Sequence, residues 1–171
     1  MLRDLRSRLI PAWLATAAID GVFASALSVF GYHSTVTRLW QGVASTLLGP
    51  VALQGGARTA LIGVFIHIGV ALLWTSVFFA LHSASPRLRR LVSTPGGVIG
   101  VAAVYGPLIW LVMSFGVIQL LTGRSPTIAP RWFVQLFAHI PFVALPIVAM
   151  IARSIGAAKG RADVRVAEDV A

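Results

Sequence analysis

Residues 58–81, RTALIGVFIHIGVALLWTSVFFAL, decide the fold of this chain. A helix needs about 20 apolar residues, at about 1.5 Å rise each, to cross a bilayer, and this run is longer than that. Its single imidazole, His67, is costly against lipid, so the helix must turn it toward other protein or a water-filled cavity. Two further ionisable groups interrupt apolar runs in the same way, Asp20 and His139.

Working outward, three more apolar runs complete the pattern. The expected spans are about 10–30, 58–82, 96–121 and 131–151. Only 11% of residues are charged, against about 25% in soluble domains, and mean hydropathy is +0.86. The expected fold is all-α: a four-helix transmembrane bundle, one unit over 1–153, followed by a flexible cytoplasmic tail at 154–171. A basic lead before the first run, with Ala24-Ser25-Ala26, imitates a signal peptide. The length of the run and Asp20 at its middle argue instead for a retained span.

Residues 31–57 are too polar to span. Ser34-Thr35 can cap a helix over about 34–48, with Gly49-Pro50 as its stop. Val36, Leu39, Trp40, Val43 and Leu47 recur at helical spacing, which predicts a short interfacial amphipathic helix anchored by Trp40, with a partly re-entrant segment as the alternative. A loop is expected over 83–95, with His82 at the interface before it. Small residues mark helix approaches: Ala17, Gly21 and Ser25 on the first span, Gly96 and Gly100 on the third. Gly106-Pro107 predicts a kink in the third span, and Pro141 and Pro146 bend the fourth.

The basic residues fix an expected orientation. Ten lie at the N-terminus, in the 83–95 loop and in the tail; four, Arg38, Arg58, Arg124 and Arg131, lie on the other side. The positive-inside rule puts both termini in the cytoplasm. The net charge of +9 is therefore read as arginines facing anionic lipid at the cytoplasmic face, not nucleic acid. The expected partners are the bilayer itself and a second copy or another membrane protein. The chain has no cysteine, which removes disulfides and thiolate metal sites.

His67 lies nine residues after Arg58, and His139 eight after Arg131. In an up-down bundle those two helices run the same way, so the imidazoles fall at similar depth, with Asp20 near the centre of the first span. Asp20, His67 and His139 form the expected intramembrane polar site. Ser114, Gln119 and Gln135, with Arg58 and Arg131 at the mouth, describe an outer funnel leading to it. Several chemistries suit such a layer. It can be structural, through cross-helix hydrogen bonds. It can be a proton or small-solute site, because histidine changes charge near physiological pH. It can hold a b-type haem between His67 and His139, with arginines on the propionates; a zinc or copper site on the same three groups is a further alternative. Without haem, no cofactor is implied. No phosphate loop, nucleophile elbow, HExxH or catalytic carboxylate pair is present, so a non-enzymatic role is expected.

Asp20-Gly21, the run RLWQGVASTLLGPVALQGGARTALIGVFIHI over 38–68, and His139 with Leu145-Pro146-Ile147 resemble a group of small bacterial four-span membrane proteins without an assigned activity. The resemblance covers about 10–153 and is most specific at Gln41 to Gly49 with Gln54-Gly55-Gly56. It implies a bacterial inner-membrane protein and carries no catalytic residues.

Overall fold

A computed structural model describes residues 5–152; the expected tail and, of the basic residues near the N-terminus, Arg3 lie outside them. The described residues form helices and turns, with no strand among them. Four helices are long and apolar enough to cross a membrane: α1, Ser7–Gly31; α3, Gly56–Ala84; α5, Pro95–Thr122; and α6, Pro130–Ala152. Between them lie α2, Val36–Leu48, and the short α4, Pro86–Leu91. The chain is a multi-pass helical bundle.

Local chemistry sets most boundaries. Thr35 caps α2 by accepting the Arg38 N–H at 3.1 Å, and Gly49, at φ 73°, ends it. Thr94 caps α5 through the Gly97 N–H, and left-handed Gly123 closes it. The expected 83–95 loop is corrected: Ser85 caps α4 through Leu88 N–H, and Pro86 suits its first turn. Wide π turns occupy Val112–Ile118 in α5 and Ile140–Ala144 in α6, the latter holding Pro141. A residue without an N–H breaks the regular ladder there.

The four long helices close into a ring. α1 packs between α3 and α6, and α5 packs on α6. The fourth contact, α3 to α5, runs through aromatic side chains: the Tyr105 hydroxyl donates to the Trp74 carbonyl at 2.7 Å, and the Tyr105 and Phe78 rings are 5.2 Å apart. Helices meet most closely where a side chain is missing; Gly21, on the expected face of α1, stands against His67 and Trp40, and two closer approaches lie at positions not expected. A Cβ on Gly63 would strike the Trp40 carbonyl of α2, and one on Gly106 would lie 2.6 Å from the His139 carbonyl of α6. Gly96 and Gly100 face open space.

The apolar core fills one half of the bundle. Ala12, Phe78, Tyr105, Ile109, Ile147 and Ile151 are buried there, from the start of α1, the end of α3, the start of α5 and the end of α6. His82 also lies in that half. It is 1% exposed in the last turn of α3, and Arg89 donates to its carbonyl at 3.2 Å. The other half of the bundle carries the polar layer and is covered by α2.

Candidate functional site

Two side chain to backbone bonds stitch α1 to α3 at this layer. Trp13 Nε1 donates to the Ile68 carbonyl at 2.9 Å, and His67 Nε2 sits 3.0 Å from the Ala17 carbonyl. A carbonyl oxygen only accepts, so His67 Nε2 carries a hydrogen. The other ring nitrogen, Nδ1, then faces Asp20 Oδ2 at 3.8 Å. If both were unprotonated, two acceptors would oppose each other in a low-dielectric interior. One further proton, on Asp20 or on His67, would make this contact a donor–acceptor one. Both side chains are largely covered, at 21% and 16% exposure.

His139 belongs to the same neighbourhood at longer range. Its Nδ1 donates to the Gln135 carbonyl one turn earlier on α6, at 2.7 Å, which leaves Nε2 as its acceptor when neutral. It lies within range of the Asp20 and His67 charges without pairing directly with Asp20. Stacked Phe23 and Phe142, centroids 3.9 Å apart, hold α1 and α6 together beside it.

Above the pair sits Trp40. The expectation of an interfacial anchor is corrected: Trp40 is 9% exposed, and its ring centroid lies 5.1 Å from that of His67. Gly63 of α3 makes the room, since a Cβ there would strike the Trp40 carbonyl, while Gly21 of α1 faces the Trp40 ring at ordinary contact distance. Gln41 is also buried and donates to the Gly56 carbonyl at 3.1 Å. The inward face of α2 is thus Trp40, Gln41 and Ala44, while Leu47 and Val36 stay exposed. Trp40 and Trp13 were the site residues hardest to see in sequence. Trp13 gives one signal, standing four residues before Ala17 on the small-residue face of α1.

The residues of the expected funnel are engaged elsewhere. The buried Ser114 hydroxyl accepts from Trp132 Nε1 at 2.8 Å. Gln119 reaches Ser125 at 3.5 Å. Arg131 lies over the Tyr32 ring, 4.4 Å from its centroid. Gln135 contributes its carbonyl to His139, and Arg58 is exposed at the start of α3. Trp110 packs on His139, ring centroids 5.0 Å apart.

This arrangement does not suit haem ligation. His67 commits Nε2 to a carbonyl of α1 and one face to Trp40, so it has no free nitrogen aimed at a space shared with His139. Among the described residues, no three His, Asp or Glu side chains stand close enough to hold a metal ion. What the site can do is keep, give up or take a proton between two helices. No family model, curated protein or solved structure matches the chain. Fold and site together define a multi-pass membrane protein with a carboxylate–imidazole pair inside its bundle.

Proposed function

We propose that this is a bacterial inner-membrane protein, both termini cytoplasmic, that responds to pH through the Asp20–His67 pair. The carrying observation is the fixed hydrogen on His67 Nε2, which leaves Nδ1 facing Asp20 at 3.8 Å. Unit charges about 4 Å apart interact by about 4 kcal/mol at an effective dielectric of about 20. A lone carboxylate at mid-membrane costs about 2.5–3.5 kcal/mol. A pair holding one extra proton is thus near balance, whereas losing that proton leaves a carboxylate against a lone pair. Deprotonation then favours parting α1 from α3, and α2 moves with them because Trp40 rests on both. Beyond its own two members, the titratable group acting on the pair is His139 from α6; α2 presents an indole.

The test uses Trp40 as the reporter, since imidazolium quenches a neighbouring indole. In vesicles, with Trp110→Phe removing the other indole–histidine contact, emission should vary with pH. The variation should vanish in Trp40→Phe and in His67→Gln, and its midpoint should move in Asp20→Asn. Emission flat with pH, or a midpoint indifferent to Asp20→Asn, would refute the proposal. A bilayer topology reporter placing the termini outside would refute the orientation alone.

A further inference from the structure

Away from the Asp20–His67 pair, a cavity of about 440 Å³ opens between the C-terminal end of α2 and the outer end of α5. Its wall is chemically divided. Thr46, Leu47 and Leu48 bring the last carbonyls of α2, and Arg124 brings a guanidinium from the turn after α5. Leu53 and Leu121 complete an apolar side.

The carbonyls are open. Ser45 O accepts the Gly49 N–H at 3.0 Å, but Thr46, Leu47 and Leu48 receive no donor among the described residues. Pro50 stands where the N–H for Thr46 O would be, and proline has none. Three acceptors at the negative end of a helix dipole favour a cation that can donate hydrogen bonds. Arg124 asks for the opposite charge. It is exposed, and among the described residues no carboxylate pairs with it. A ligand satisfying both ends carries an ammonium and an anionic group within a few bonds, and the leucines suit an attached alkyl chain.

We propose that this cavity binds the headgroup of an aminophospholipid. The primary ammonium donates to the open carbonyls of α2, the phosphate lies against Arg124, and the acyl chains run along the leucines. The position suits a lipid source, since the cavity lies at one end of the spans. A bound lipid there would tie α2 to α5 across the end of the bundle.

Native mass spectrometry of the full chain from mild detergent tests this, with three phospholipids of identical acyl chains as probes: phosphatidylethanolamine, phosphatidylcholine and phosphatidylglycerol. Choline carries no N–H to donate, and glycerol carries no cation. Phosphatidylethanolamine should be retained about tenfold over either, the scale of one lost charge-assisted hydrogen bond. Arg124→Gln, on an exposed turn where folding is not at stake, should lower the retention of all three, since each carries the phosphate that faces the guanidinium. Thr46→Phe, which fills the cavity, should have the same effect. Equal retention of the three headgroups would overturn the proposal, as would retention unchanged by Arg124→Gln. Displacement by free phosphoethanolamine at matched concentration would overturn the lipid assignment in favour of a soluble phosphoamine.

Discussion

Hydrogen-bond direction settles more about this site than distance does. His67 and His139 each place one ring nitrogen on a carbonyl, Ala17 for one and Gln135 for the other, so they hold opposite tautomers when neutral. His67 is thereby left with a single nitrogen for Asp20, and His139 with a single nitrogen facing the pair from α6. A double-mutant cycle on Asp20→Leu and His67→Leu should give a coupling of about 1–2 kcal/mol in detergent unfolding. The Asp20–His139 cycle should also depart from additivity, through charge at a distance and not through contact. Asp20, His67 and His139 stand out in sequence because charge in hydrocarbon is expensive. Trp40 does not, because an indole on an amphipathic helix is ordinarily found at the membrane surface. Only the missing side chain at Gly63, on a different helix, allows it inward.

At the level of elements, α2 is the decisive part. Its existence and its ends are legible, from Thr35, the spaced apolar residues and Gly49-Pro50. Its docking is not, since Val36 and Leu47 of the pattern remain exposed while Ala44 and Gln41, outside the pattern, are buried with Trp40. Gly63→Ala places a methyl group on the Trp40 carbonyl and should lift α2. The chain has no cysteine, so a single Ala44→Cys gives a clean reporter. Ala44 is fully buried, and the introduced thiol should resist a water-soluble maleimide in the parent and react when Gly63→Ala is added. Gly42→Ala, with nothing within 4 Å, is the control and should change nothing. Unchanged labelling with Gly63→Ala would mean that α2 does not rest on α3 as described. The wide turn at Ile140–Ala144 was announced by Pro141; the one at Val112–Ile118 has no proline within it, and sequence offered no sign of it.

On the scale of the whole molecule, apolar packing and polar chemistry occupy different halves. The half around Phe78, Ile109 and Ile147 is sealed, and the polar half is closed by α2 rather than by the long helices alone. Phe78→Ala, at a residue 1% exposed, should destabilise the bundle by about 3 kcal/mol or more. Phe65→Ala, on a surface 71% exposed, should cost far less by the same unfolding measurement. The four spans were readable from length and apolarity. Which helices neighbour one another was not, because the contacts are decided by Gly63, Gly106 and Tyr105 in pairs that sequence does not join. The proposed proton between Asp20 of α1 and His67 of α3 is read directly by nitrogen-15 solid-state NMR of His67 in bilayers. Nε2 should be protonated both in the parent and in Asp20→Asn, while the Nδ1 resonance should shift between them as its partner changes from carboxyl to amide. An Nδ1 resonance that is the same in both would contradict the shared proton.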